Sequence, residues 1–157
     1  MFKVLVIEDE DIIRNGLIYS VDWTSMGLVV VGDCRNGEEG LMKIAELKPD
    51  IVILDINMPI KNGLDVLRES AAKYVFSTII ISGYSEFSFA QQAMKFGVTE
   101  YLLKPVDHDQ LIQALTRAKE QVQIRKKYDL IRSQLQKPED LELLKTEFIM
   151  DDKETSP

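Results

Sequence analysis

The sequence is poor in residues that form disulfides or bind zinc, with one cysteine and one histidine among 157 residues. Cys34 has no partner for an internal disulfide, and no Cys/His cluster is available for a zinc site. No apolar run is long enough to cross a membrane, and the first ten residues lack the pattern of a signal peptide. We therefore expect a soluble, cytoplasmic protein with no membrane partner.

Net positive charge is also lacking, because the formal net charge is −7. A net acidic chain has no general attraction for nucleic acid or for an anionic surface. Residues 117–137 carry an excess of basic residues and are interpreted as a solvated helix face. We expect no direct nucleic-acid binding by this chain. Its 45% hydrophobic content is enough for one ordinary core.

Apolar runs rich in β-branched residues alternate five times with segments of helical spacing. Such runs suit strands buried on both faces, and the alternation is typical of an α/β fold with a doubly wound parallel sheet. Strands are predicted at residues 2–7, 28–32, 51–55, 78–81 and 100–103. Helices are predicted from Asp11, over residues 36–47, 64–72 and 86–96, and from Asp107 into a long C-terminal helix.

Four of the five predicted strands deliver polar residues to their carboxyl ends: Glu8 and Asp9, Asp55, Ser82, and Lys104. Ligands bind at this edge of open α/β sheets, so we expect these side chains to meet in one site. Each residue taken alone has an ordinary alternative, namely a strand-capping Asp55, a turn-forming Ser82 and a solvated Lys104. Their coincidence at one edge favours a functional site.

The acidic residues at this edge form a candidate metal site. Side by side, their carboxylates would repel one another, and a hard divalent cation such as Mg²⁺ or Mn²⁺ resolves that repulsion. Asp9 and Asp55 are the candidate side-chain ligands, and the backbone carbonyl of Asn57 can complete the shell. Glu8 is expected to bind directly or through water.

The combination predicts phosphoryl transfer to a carboxylate. Asp55 is the candidate nucleophile, because a carboxylate can accept a phosphoryl group as an aspartyl phosphate. Lys104 and the Ser82 hydroxyl can stabilise the negative charge on the phosphoryl oxygens. His108 is the only histidine and lies past the Lys-Pro turn, so no general base is evident and a long-lived aspartyl phosphate is expected.

Together these motifs resemble the receiver domain of bacterial two-component response regulators over about residues 2–122. The matching motifs are Glu8-Asp9, Asp55 with Met58-Pro59 and Gly63, Ser82-Gly83 and Lys104-Pro105. The resemblance implies the flavodoxin-like strand order 2-1-3-4-5 and a cis peptide between Lys104 and Pro105. It also implies that a sensor histidine kinase donates the phosphoryl group to Asp55. Two departures are Glu8, where many members have Asp, and Ser82, where many have Thr.

The resemblance further implies a conformational switch. A hydroxyl at Ser82 drawn toward the phosphoryl group would vacate space into which Tyr101 turns. This coupling would act on the face formed by the fourth helix, fifth strand and fifth helix, residues 86–122. That face or the helix over residues 108–136 is the expected homodimer surface. Tyr101 taken alone is interpreted as an amphipathic aromatic residue at a strand edge.

Four further segments are similar to receivers that precede an AraC-type DNA-binding output, namely residues 21–27, 37–39, 82–87 and 100–105. No such output is evident after Lys137. We expect a receiver at 2–122, a helical extension or linker at 123–137, and at 138–157 an acidic, partly disordered tail or the start of a missing output region. Control of transcription would act through a missing DNA-binding domain. A stand-alone receiver acting by protein contacts is the alternative.

Two other classes share parts of the pattern. A haloacid-dehalogenase-type phosphatase also combines a nucleophilic Asp, Mg²⁺, a Ser or Thr and a Lys, but needs a second acid where this chain has Asn57. A flavin-binding flavodoxin needs a phosphate loop where this chain has the acidic residues 8–11. We therefore expect a regulatory domain that is not an enzyme beyond its own phosphorylation and slow dephosphorylation.

Overall fold

The computed structural model describes residues 1–135, in which five parallel strands form one sheet in the order β2-β1-β3-β4-β5. The strands are β1 Phe2–Ile7, β2 Leu28–Cys34, β3 Ile51–Asp55, β4 Ser77–Ser82 and β5 Glu100–Leu103. The helices are α1 Asp11–Ser20, α2 Gly37–Leu47, α3 Gly63–Ser70, α4 Phe87–Met94 and α5 His108–Gln134, with short 3₁₀ turns at Thr24–Met26 and Tyr84–Glu86. The predicted α/β fold and strand order are confirmed.

Several elements differ from the prediction by one or two residues at an end, and two of them show why. Strand β2 continues to Cys34 because its last residues extend the ladder with β1. Helix α4 covers Phe87–Met94 rather than 86–96, because the amides of residues 95–97 bond to carbonyls three residues back instead of four. This tightening ends the regular helix, and Gly97 follows with a φ of 76°.

The core consists of two apolar layers, one on each face of the sheet. On one face, α1 and α5 pack through residues such as Leu17, Leu111 and Leu115. On the other face, α2, α3 and α4 pack through residues such as Ile44 and Leu64. Because both faces are covered, the central strands β1 and β3 contain fully buried apolar runs.

The apolar residues at helical spacing in α4 do not share one environment. Ala90 and Ala93 are buried, whereas Phe87 is 62% exposed and Met94 is 50% exposed. The face of α4 toward the sheet therefore uses small side chains, and its aromatic residues point to solvent.

The chain divides into two compact units, residues 1–122 and 123–157, and the sheet belongs to the first. The described part of the second unit ends at residue 135, so the predicted acidic segment 138–157 lies outside the described residues. Within residues 1–135, no helix is both long and apolar enough to cross a membrane.

Parallel pairing brings the carboxyl ends of the strands to one edge. Across neighbouring strands, Ile7 pairs with Leu54, Asp55 with Ile81, and Ser82 with Leu103. The residues that follow these strands therefore emerge side by side, which positions the site described next.

Candidate functional site

Asp55 is the last residue of β3 and is fully buried. The loop after it folds back tightly, since the Gly63 amide donates to the Ile56 carbonyl at 2.9 Å. A Cβ atom at Gly63 would lie 2.5 Å from the Asp55 carbonyl oxygen, so only glycine permits this approach. The Asn57 amide donates to Asp55 Oδ1 at 3.4 Å, which orients the carboxylate.

Lys104 brings a positive charge to the buried carboxylates. Its Nζ lies 3.2 Å from Asp55 Oδ2, 3.1 Å from Glu8 Oε1 and 3.7 Å from Glu10 Oε1. The Lys104 amide donates to the Ser82 carbonyl at 2.8 Å, which fixes the backbone, and the peptide bond to Pro105 is cis.

The carboxylates of Glu8, Asp9 and Glu10 form a cluster with ligand oxygens within 4.8 Å of one another. Among the described residues, no donor hydrogen-bonds the two carboxylate oxygens of Glu8, Oδ1 of Asp9 or Oδ2 of Asp55, although all four are buried. Two of them face the Lys104 ammonium group as ion pairs, without hydrogen-bond geometry. A hard divalent cation satisfies such oxygens, so the donor set fits Mg²⁺.

The protonation of Asp55 reflects this crowding. Burial, followed by the neighbouring Glu8 carboxylate, raises the pKa of Asp55 to about 9, against the opposing effect of Lys104. Burial tends to lower the pKa of Lys104, but Asp55 and Glu8 together raise it above its usual value. In the protein without a metal ion, the pKa of Asp55 therefore lies well above that of an ordinary aspartate.

Ser82 ends β4 and is fully buried. Its hydroxyl oxygen lies 2.6 Å from the phenol oxygen of Tyr101. Thus the two residues predicted to form a switch are in direct contact, and Tyr101 is half-buried rather than turned out into solvent.

The structure brings together most of the residues predicted for the site. Asp55, Glu8 and Lys104 are in direct contact, and Asp9 lies beside Glu8. Ser82 is linked to Lys104 through the backbone. Their catalytic and metal-binding roles stay predictions, as does coordination by the Asn57 carbonyl.

Sequence reasoning missed two neighbours of this site. Glu10 approaches Lys104 at 3.7 Å, and its place in the acidic run was the available signal. Arg14 is 3% exposed and donates to the Glu8 carbonyl at 2.8 Å. Its spacing of three residues from Asp11 is typical of an ordinary surface ion pair, so no pattern in the sequence indicates its burial.

Comparison with known families matches residues 4–116 to the response regulator receiver domain. The transcriptional regulatory protein YesN of Bacillus subtilis is 40% identical over 116 residues, which cover 73% of this chain and 32% of that protein. The transcriptional regulatory protein HptR of Staphylococcus aureus is 40% identical over 117 residues, which cover 74% of this chain and 46% of that protein. The chain thus spans less than half the length of these two relatives.

Among solved structures, the REC domain of AraT, a response regulator from Geobacillus stearothermophilus, superposes with a TM-score of 0.76 at 36% sequence identity. The match covers 80% of this chain and 98% of that domain. Receiver domains generally bind Mg²⁺. In this chain the acidic cluster supplies the carboxylate oxygens that such a site needs.

Proposed function

The chain belongs to the response regulator receiver domain family, and from that membership we propose that Asp55 accepts the phosphoryl group. The observation that carries the proposal is the contact of a fully buried Asp55 with Lys104 at 3.2 Å. This contact lies at the carboxyl edge of the sheet, beside an acidic cluster whose buried carboxylate oxygens lack hydrogen-bond donors. Receivers act as regulatory domains, and the proposed chemistry of this chain is limited to its own phosphorylation and slow dephosphorylation.

In the proposed transfer, one carboxylate oxygen of Asp55 attacks the phosphorus of a phosphorylated histidine in a sensor kinase. A P–O bond to Asp55 forms as the P–N bond to histidine breaks, and the departing imidazole nitrogen takes a proton from solvent. The role of Lys104 is to place positive charge next to the phosphoryl oxygens, where negative charge is concentrated. The Ser82 hydroxyl then donates a hydrogen bond to one of those oxygens.

The proposed metal ligands are Asp9, Asp55 and the carbonyl of Asn57, with Glu8 binding directly or through water. When bound, Mg²⁺ or Mn²⁺ supplies the positive charge that keeps these crowded carboxylates ionised. The residues themselves hold the site together: Lys104 bridges Glu8 and Asp55, and the Asn57 amide orients the Asp55 carboxylate.

The proposed switch couples Asp55 to the α4-β5-α5 face through Ser82 and Tyr101. The Ser82 hydroxyl is buried in contact with Tyr101 and can exchange that partner for a phosphoryl oxygen. Exposed Phe87 and Met94 on α4 give this face apolar surface for a homodimer or another partner. The second proposed dimer surface is the long helix predicted over residues 108–136, of which the structure describes α5 His108–Gln134.

We propose control of transcription as the output, because YesN and HptR are transcriptional regulatory proteins more than twice as long as the matched region. DNA would be bound by an additional domain of the AraC type, and not by residues 1–135. A stand-alone receiver that acts through protein contacts remains the second candidate, since the α4 aromatic residues are exposed. The proposed location is the cytoplasm, where sensor kinases expose their phosphorylated histidine.

The test is intact mass after incubation with acetyl phosphate, with and without Mg²⁺. We expect a Mg²⁺-dependent gain of one phosphoryl group in the wild-type chain and none in Asp55→Asn. Asp109→Asn, which changes an exposed aspartate at the start of α5, serves as the matched control and should gain mass normally. A gain in Asp55→Asn, or none in the wild type, overturns the assignment. Continuous phosphate release without an adduct would point to the phosphatase class.

A further inference from the structure

Among the described residues, Arg14 is the only basic side chain that is buried, with 3% exposure. It lies in α1, one turn after the acidic residues that follow β1. A buried guanidinium group is costly unless several acceptors surround it, so its position requires partners. It plays no part in the phosphoryl chemistry described above.

The guanidinium group bridges three separate segments. Its Nη1 donates to the Glu8 carbonyl at 2.8 Å, Nε donates to Asp33 Oδ2 at 3.2 Å, and Nη2 pairs with Asp11. These acceptors lie after β1, in β2 and at the start of α1. Arg14 thus ties the turn between β1 and α1 to the neighbouring strand.

The contact with Glu8 acts on the backbone of the acidic cluster. The Glu8 amide is held by the Cys34 carbonyl at 3.0 Å, and Arg14 holds the Glu8 carbonyl. Because a peptide unit is planar, fixing that carbonyl also fixes the amide and the Cα position of Asp9. The backbone that carries both acidic side chains is therefore held by a bond that neither side chain makes.

We infer that Arg14 is a positioning residue that preorganises Glu8 and Asp9 for a divalent cation. The inference rests on the proposed function, since it assigns a role toward the proposed metal site. The guanidinium also supplies positive charge behind four consecutive acids, residues 8–11, which reduces their mutual repulsion while the loop is held.

Arginine is required at this position because its planar group presents five donors in a fixed fork. A lysine would keep the positive charge. Its single ammonium group, however, cannot reach all three acceptors that surround the planar guanidinium group of Arg14. Arg14→Lys therefore separates geometry from charge, and Arg14→Met removes both.

The experiment is a calorimetric titration of the whole chain with MgCl₂, with folding of each variant checked by circular dichroism. We expect Arg14→Lys to weaken Mg²⁺ affinity by about 10- to 100-fold, the usual effect of losing a group that orients metal ligands. Arg68→Lys is the matched control, because Arg68 is exposed and pairs with Asp65 at 3.5 Å in α3. Its Mg²⁺ affinity should equal that of the wild type.

A folded Arg14→Lys with wild-type affinity overturns the inference, because a merely structural arginine would change stability and not metal binding. If Arg14→Lys fails to fold, a second measurement, made on the wild type, still tests the inference. Mg²⁺ saturation should shift the side-chain NMR signals of Arg14, and unmoved signals also overturn the inference. If the wild-type chain binds no Mg²⁺, the proposed metal site itself fails. If it binds Mg²⁺ and gains phosphate while the variant does so equally well, only the role of Arg14 fails.

Discussion

The Ser82 hydroxyl oxygen lies 2.6 Å from the phenol oxygen of Tyr101 on the neighbouring strand. Ser82 pairs with Leu103 in the ladder, so Tyr101 reaches it diagonally from two residues back. This contact occupies the hydroxyl that the proposed mechanism assigns to a phosphoryl oxygen. Phosphorylation and the position of Tyr101 would therefore compete for one hydrogen-bonding group.

Tyr101→Phe should speed phosphoryl uptake from acetyl phosphate, because Ser82 is released from its present partner. One hydrogen bond is worth about 1 kcal/mol net, so we expect a roughly fivefold faster rate. The measurement is the rate of mass gain. Tyr74→Phe is the control, since Tyr74 packs in the core layer of α2, α3 and α4. A rate equal to or below that of the wild type would contradict the prediction.

The stability of the metal-free protein should fall as pH rises. In the unfolded chain the pKa of Asp55 is near 3.8, the usual value for an aspartate, whereas burial raises its pKa in the folded protein to about 9. Between these values the unfolded state has released a proton that the folded state retains, so deprotonation favours unfolding. One such group contributes at most about 1.4 kcal/mol per pH unit.

Urea unfolding in EDTA, compared between roughly pH 5 and pH 8, measures this effect. Asp55→Asn should show a smaller decrease and be more stable than the wild type at the higher pH, whereas Asp109→Asn should follow the wild type. Equal pH dependence in the wild type and Asp55→Asn would exclude Asp55 as its origin.

Two glycine substitutions should have opposite effects on stability. In Gly63→Ala, the new Cβ would lie 2.5 Å from the Asp55 carbonyl oxygen, so the backbone must move, at about 1–3 kcal/mol. Uptake of phosphate should slow as well. In Gly16→Ala, no heavy atom lies within 4 Å of the new Cβ, and alanine favours α1 by about 0.5–1 kcal/mol. Urea unfolding measures the stability of both variants, and mass gain measures phosphate uptake. A Gly63→Ala variant as stable as the wild type would show that the loop adapts freely.

Replacing Ile60 with asparagine should stabilise the folded protein. Its φ is 69°, a conformation that is costly for a β-branched residue, and its side chain is 70% exposed. Ile60→Asn should therefore raise the free energy of unfolding by about 0.5–1 kcal/mol. Val75→Asn is the control, because Val75 is 71% exposed and has no positive φ. An equal change in both variants would mean that the backbone of Ile60 is not strained.

The sequence predicted β1, β3 and β5 with the same bounds as the structure, because each is an apolar run that ends abruptly in polar residues. Helical spacing was less informative. In α4 it grouped Phe87 and Met94 with Ala90 and Ala93, although only the two alanines are buried. Helical spacing identifies the apolar residues along a helix. The distance between the helix and the sheet decides which of those side chains fit between the two.

Two features of the site region depend on tertiary contacts and were beyond sequence reasoning. The burial of Arg14 depends on Asp33, which lies on another strand. The backbone of Ile60 depends on closure of its loop, where the Lys61 carbonyl accepts from the Gly37 amide at 3.0 Å. Neither partner is adjacent in the sequence, so no local pattern reveals either contact.

The strand order has a consequence for biosynthesis. Within this sheet, Glu8 follows β1, which is synthesised before the other four strands, whereas Lys104 follows β5, which is synthesised after them and lies at the edge of the sheet. A nascent chain that ends before Lys104 carries the carboxylates without the ammonium group that bridges them. Because β5 pairs only with β4, it can dock only after that strand is in place. On the proposed function, the phosphoryl-accepting site is therefore complete only after synthesis has passed the fifth strand.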